Sequence, residues 1–371
     1  MKIGVPRELA ANERRIAAIP DTVSRFVKAG AQVMVEKGAG AASCFMDDAF
    51  TQAGATLVDA QTVWGADLVV KVQPPTQDEA ARMRDGACLV SHLQAWNSAE
   101  LLGVLNAKKV SAFSLEQVPR TTRAQAMDVL SSQATIAGYK AVLMAAERAP
   151  RILPMLVTAA GTLTPATVLV LGAGVAGLSA IGTAKRLGAV VEAFDVRAAA
   201  AEQVESLGAK FIGKELLSKE GEGQGGYAKQ LSQDAEERNR QLIAHHAKKA
   251  LIVIATAAIP KRRAPLLVPK SVVETMQPGA VIVDLAAETG GNCELTKLGQ
   301  DVVHQGVTIL GPEKLAATVP THASQMFARN VLAFVINMTK DGKLGEFALN
   351  FDDDIVQASC ATHAGTTRSA P

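Results

Sequence analysis

The chain has 371 residues, 48% apolar and 20% charged, which suits a globular core, argues against a disordered chain and leaves length for two domains. Lys plus Arg number 38 against 36 Asp plus Glu, a balance that supplies no field for docking on a phosphate backbone, so nucleic acid is not an expected partner. Aromatic residues, at 4%, are too few for base-stacking platforms or interfacial belts.

The four cysteines (Cys44, Cys88, Cys293, Cys360) lie far apart, with no histidine at metal-ligand spacing. No metal site and no disulfide framework are expected, only reduced thiols in an intracellular compartment. The opening residues lack the apolar core of a signal peptide. The longest uncharged run, 152–184, is interrupted by Pro154 and Pro165 and contains a strand and a glycine turn, so it does not predict a membrane helix.

In chain order, the N-terminal third predicts strands at 2–5, 32–35, 56–58, 68–72, 88–91 and 110–113, with helices such as 21–29 and 98–107 between them. A long helical pattern follows at 124–148 and is broken by Pro150 and Pro154. Beyond it, short apolar runs at 168–171, 190–195, 209–212, 251–254, 281–284 and 307–310 alternate with helical stretches such as 176–187 and 198–207. Continuous apolar strands separated by helices predict a parallel sheet covered on both faces. The polar, glycine-rich stretch 214–232 predicts a mobile loop or flap. A helix at 324–338 comes too late for the six-strand sheet and is expected to return to the first domain, followed by an irregular tail. The fold class is therefore α/β, with two Rossmann-like domains of parallel sheets, the second a doubly wound six-strand nucleotide-binding domain. The expected boundaries are 1–127 plus 316–371 for the first domain and 128–315 for the second.

Gly172-Ala-Gly174-Val-Ala-Gly177 directly follows the 168–171 strand and opens a helix. Gly172 permits the tight turn, Gly174 lets the backbone approach a pyrophosphate, and Gly177 allows close helix–strand packing. The helix N-terminus then presents backbone N–H groups to the diphosphate. Asp195 closes the next strand, where a carboxylate accepts hydrogen bonds from the adenosine ribose and repels a 2′-phosphate, favouring NAD over NADP. Arg197, two residues on, is a residue type that accommodates such a phosphate.

Other residues carry two readings each. Arginines in the segment 6–17 hold a carboxylate or form a solvated charge cluster. Lys71, inside an apolar strand, calls for a partner or a ligand. His92 is a proton donor or a satisfied core histidine. Asp284 and Glu288 stand at or beyond a strand's carboxyl end, as ligand contacts or as caps.

Lys2-Ile-Gly-Val-Pro-Arg-Glu8, Glu13 to Ala17, Gly172 to Gly177 and Asp284 to Gly291 together resemble the alanine dehydrogenase and pyridine nucleotide transhydrogenase superfamily, over nearly the whole chain. Pro119-Arg-Thr-Thr-Arg-Ala-Gln-Ala-Met-Asp-Val-Leu-Ser-Ser-Gln133 resembles the nicotinamide-holding loop of the transhydrogenase branch. The resemblance implies an NAD(H)-binding component of a proton-translocating transhydrogenase, which passes hydride directly between NADH and NADP+ held on a partner component. It implies that Arg120, Asp128 and Ser131 hold the nicotinamide carboxamide and ribose, and that Gln125 projects toward the NADP-binding partner. It implies cofactor contacts from Gly172, Gly174, Val175, Gly177, Asp195, Val196, Arg197, Ala257 and Glu288, with Tyr227 at the tip of a mobile loop.

The resemblance further implies a homodimer, membrane-spanning partner components, and a cytoplasmic position peripheral to the inner membrane, with no direct membrane insertion. The sequence departs from the family pattern at Leu231, at Lys261 with the following Arg262-Arg263, and at Lys314, which adds cations near the cofactor's edge. The alternative is a soluble amino-acid dehydrogenase resembling alanine dehydrogenase, with Arg15 and Lys71 on a substrate carboxylate and His92 as acid/base. Against that alternative, Glu288-Thr289 replaces the Asp-Gln of that branch's Asp-Gln-Gly-Gly motif. A third reading is an NAD-sensing module without a redox role.

Overall fold

The computed structural model describes residues 1–216, 233–259, 262–339, 342–344 and 349–368. The chain divides into two units, Met1–Gln133 with Ala317–Pro371, and Ala134–Ala316.

In the first unit the strands are β1 (Lys2–Val5), β2 (Gln32–Glu36), β3 (Thr56–Val58), β4 (Leu68–Val70), β5 (Cys88–Ser91) and β6 (Ser111–Ser114). The first strands of the second unit form a hairpin of β7 (Leu156–Thr158) and β8 (Gly161–Leu163), whose residues are all exposed. Its main strands are β9 (Thr167–Leu171), β10 (Val190–Phe194), β11 (Lys210–Phe211), β12 (Ile252–Ala255), β13 (Val281–Asp284), β14 (Asp301–His304) and β15 (Val307–Leu310). The chain then contributes β16 (Cys360–His363) and β17 (Thr366–Thr367).

The second unit's sheet runs β11-β10-β9-β12-β13-β15-β14. Six of these strands are the expected ones, and each pairs parallel with its neighbour among them. The expected six-strand, purely parallel sheet is corrected at one edge: β14 joins β15 antiparallel. Its polar ends hide it in sequence, and Gln305 and Gly306, at φ 46° and 79°, form the two-residue turn whose positive dihedrals match hairpin twist. Side chains of the main strands alternate between two cores. Val168, Val170, Ile252, Ile254, Val281 and Val283 face one side, and Leu169, Leu171, Val253, Ala255 and Ile282 the other. Both faces are therefore apolar and covered by helices, as a parallel sheet requires.

The first unit's sheet runs β17-β16-β6-β5-β4-β1-β2-β3. Its six early strands are parallel, and the tail expected to be irregular instead adds β16 antiparallel to β6 and β17 antiparallel to β16. Residues 360–363 are too short to show a period, and the edge of β6 supplies the template. The late helix is Pro320–Asn337, and Pro320 suits its first turn because that turn has no use for the missing N–H. It buries Phe327, Val331, Phe334 and Val335 in the first unit's core, where Phe334 meets Phe113 with ring centroids 5.9 Å apart.

The long helix is shorter than expected. It spans Val129–Arg148 and is preceded by a separate 3₁₀ turn, Gln125–Met127. Asp128 between them accepts the Ser131 N–H at 2.8 Å, so it caps the helix and ends the turn. Further along, a Cβ on Gly138 would lie 2.0 Å from the Ala176 carbonyl oxygen, so the helix of Val175–Arg186 approaches it backbone to backbone.

Candidate functional site

In the second unit the strand order reverses at β9, which lies between β10 and β12. Ligands bind outside the carboxyl ends of strands at such a point, and Gly172 to Gly177 occupy that end. Gly172 has φ +95°, a conformation that L side chains rarely adopt, and its N–H donates to the Phe194 carbonyl at 2.8 Å. A Cβ on Gly177 would sit 1.8 Å from the Gly172 carbonyl oxygen, so the first helical turn folds directly over the strand end. Gly174 differs, since a Cβ there would meet nothing within 4 Å. The protein's own packing requires two of the three glycines, whereas the space before the third is open. Gly174 is the N-cap of Val175–Arg186 with no side-chain cap, and Val175 is partly exposed beside it. That leaves the first helical turn able to donate backbone N–H bonds to an anion.

Asp195 is buried at the end of β10, and its carboxylate ties the glycine loop to the following turn. Oδ2 accepts the Ala173 N–H at 2.7 Å and Arg197 Nη2 at 2.7 Å. Oδ1 accepts the Arg197 backbone N–H and its Nε, both at 2.9 Å. Val196 packs partly into the core beneath.

Ala257, after β12, has both backbone groups bound by Asn292: its N–H donates to Oδ1 at 3.0 Å and its carbonyl accepts from Nδ2 at 2.8 Å. Thr256 Oγ1 donates to the Gly172 carbonyl at 2.9 Å. Asp284 is fully buried and accepts from the backbone of Ala286, Asn292 and Cys293 and from Thr296 Oγ1, which makes it a turn staple. Glu288 is exposed and accepts the Lys314 N–H at 3.1 Å. Sequence reading missed Asn292 and Thr256, since neither belongs to a spaced motif.

In the first unit, Arg120 and Gln125 are exposed on the 119–133 loop. Asp128 and Ser131 are joined, with Ser131 Oγ donating to Asp128 Oδ2 at 2.6 Å. Three contacts fix the loop. Asn330 Nδ2 donates to the Ala126 carbonyl at 2.7 Å. Arg123 pairs with Asp353 at 2.5 Å and with Asp354. Gln133 Oε1 accepts from Arg15 Nη1 at 2.9 Å. Arg123 carries no signal in sequence because its partner Asp353 lies 230 residues away.

The three residues of the amino-acid dehydrogenase alternative each lie against a carboxylate. Arg15 forms a fork with Glu13, with Nε–Oε1 2.8 Å and Nη2–Oε2 2.7 Å. Burial pushes the Glu13 carboxyl up, but the Arg15 hydrogen bonds and charge outweigh it and hold it down to about 2. Lys71 is 1% exposed and bonds Glu8 at 2.7 Å. Burial raises the Glu8 carboxyl despite that lysine. His92 Nδ1 lies 3.3 Å from Glu116 Oε2.

Tyr227, Leu231 and Lys261 lie outside the described residues. Among the described residues no group of three or more His, Cys, Asp or Glu side chains could hold a metal, and no helix is long and apolar enough to cross a membrane.

Residues 4–137 match the alanine dehydrogenase/PNT N-terminal domain family, and residues 141–370 match the corresponding C-terminal domain family. The chain is 44% identical to the NAD(P) transhydrogenase subunit alpha of Haemophilus influenzae, over 98% of this chain and 71% of that one. It is 32% identical to the alanine dehydrogenase of Bacillus subtilis, over 79% of this chain and 72% of that one. A solved structure of transhydrogenase from Sinorhizobium meliloti superposes with a TM-score of 0.87 at 39% identity, covering 99% of this chain and 98% of that one.

Proposed function

We propose, for a chain that belongs to the alanine dehydrogenase/PNT family, the function of the NAD(H)-binding component of a proton-translocating transhydrogenase. The observation that carries this reading is Gly174, the one glycine of the loop with open space before it, beyond the carboxyl end of β9, where the strand order reverses, and beside Asp195. The loop and the first turn of the helix at Val175 bind the pyrophosphate through backbone N–H groups. Asp195 takes the adenosine ribose and selects NAD(H) over NADP(H), Val196 and Ala257 border the adenosine half, and Glu288 lies toward its edge.

Arg120, Asp128 and Ser131 hold the nicotinamide carboxamide and ribose. Asp128 and Ser131 already share a hydrogen bond, so the pair is set in orientation before any ligand arrives. Gln125 faces the NADP-binding partner, and Tyr227 contacts the bound nucleotide. The nicotinamide supplies the chemistry: a hydride leaves C4 of the dihydronicotinamide of NADH and joins C4 of the nicotinamide of NADP+. No proton changes place in that step, so these residues bind, orient and exclude water rather than donate a proton. The same reading includes a homodimer and attachment to a membrane through partner subunits.

The relatives favour this branch over the amino-acid dehydrogenase, at 44% against 32% identity. The test is to mix the protein with a purified NADP-binding transhydrogenase component and follow reduction of an NADP analogue by NADH. Hydride exchange that needs both components is expected. Absence of exchange, or appreciable turnover of pyruvate and ammonium with NADH, would overturn the reading.

A further inference from the structure

We propose that the Arg197 guanidinium stands in for the adenosine ribose on Asp195 and must leave when NAD(H) binds, so that Arg197 limits the affinity of the site. This rests on reading the glycine loop as the NAD(H) site. An ionised carboxylate offers about four lone-pair positions. On Asp195 four donors meet them: the backbone N–H groups of Ala173 and Arg197, and Nε and Nη2 of the Arg197 side chain. The two backbone donors belong to the turns after β9 and β10 and cannot leave without unfolding them. The other two form a fork on a guanidinium whose side chain is 19% exposed and is carried on a flexible stem of methylenes.

A ribose offers Asp195 a vicinal diol, two O–H donors on adjacent carbons, which is the same two-pronged pattern as the fork. Diol and fork therefore compete for the same lone pairs. Both meet an ionised carboxylate, but the fork also brings a cation to the anion while the diol is neutral, so the fork is the stronger of the two, and every bound nucleotide carries the cost of displacing it. Asp195 remains anchored by its two backbone donors throughout, so the exchange does not disturb the loop.

The experiment is a fluorescence titration of NADH against the wild-type protein, Arg197→Gln and Arg197→Lys, with AMP and nicotinamide mononucleotide as competitors and thermal melts alongside. Arg197→Gln is expected to bind NADH about tenfold more tightly, the difference between a cationic bidentate donor and a neutral one on the same carboxylate. Arg197→Lys, which cannot fork, should fall between the two. AMP should gain in the same ratio, and nicotinamide mononucleotide, which has no adenosine ribose, should not. If Arg197→Gln fails to fold, the tightening must still appear in Arg197→Lys. NADH affinity that is unchanged or weaker in the variants, or a loss confined to NADPH, would overturn the proposal. In that last case Arg197 would be a phosphate contact. A wild-type protein that does not bind NADH would overturn the NAD(H)-site reading and this inference together, whereas wild-type binding without tightening in the variants overturns the inference alone.

Discussion

Replacing Arg15 by methionine leaves the Glu13 carboxylate buried without its cation. The Glu13 side chain is 0% exposed, and beyond the arginine fork it keeps the Arg14 and Arg15 backbone N–H groups and Gln73 Nε2, at 3.1, 2.9 and 2.7 Å. A carboxyl held down from 4.5 to about 2 corresponds to about 3 kcal/mol of stabilisation at neutral pH. Removing one partner of a buried pair costs about 3–5 kcal/mol by comparison with other proteins, so the two routes agree. The sign follows from the depressed carboxyl: its contribution is complete above about pH 4.5 and is lost as pH falls toward 2.

Both tryptophans, Trp64 and Trp96, lie in the first unit, so urea unfolding followed by their fluorescence reports this unit. Arg15→Met should lose about 3 kcal/mol at pH 7, and its deficit should shrink at acid pH. The double variant Glu13→Gln/Arg15→Met should be more stable than Arg15→Met alone, because it leaves no unpaired charge. A loss below about 1 kcal/mol, the range of exposed pairs, would refute the reasoning, as would a double variant weaker than the single one.

Gly174→Ala meets no atom within 4 Å, so it should keep its melting temperature while losing NADH binding, whereas Gly177→Ala, with its Cβ 1.8 Å from a carbonyl oxygen, should lower both; calorimetry and titration separate them. Arg123→Ala releases the 119–133 loop from Asp353 and Asp354 and should reduce the hydride-exchange rate more than NADH affinity; the opposite split would contradict a positioning role. Burial pushes the thiols of Cys88, Cys293 and Cys360 up to about 12, 11 and 11, while Cys44 is exposed. A disulfide reagent at pH 8 should therefore modify one thiol per folded chain promptly and four after denaturation.

Six parallel strands of the second unit and the place of the glycine loop were legible from the residues alone. Continuous apolar runs and the turn chemistry of glycine are local signals, because a strand buried on both faces must be apolar at every position. The reading of Gly172 and Gly177 was equally local, since one needs a positive φ and the other needs space against its own turn. What joins distant segments came only with folding. β14 and β16 are too short to show a period and exist because a neighbouring strand offers its edge. Lys71 and His92 stand unmatched along the chain, and the fold brings Glu8 and Glu116 onto them. Asp284 stood open as ligand contact or cap until its four donors gathered from residues 286–296. A charge's partner is fixed by three-dimensional proximity, which spacing along the chain does not encode.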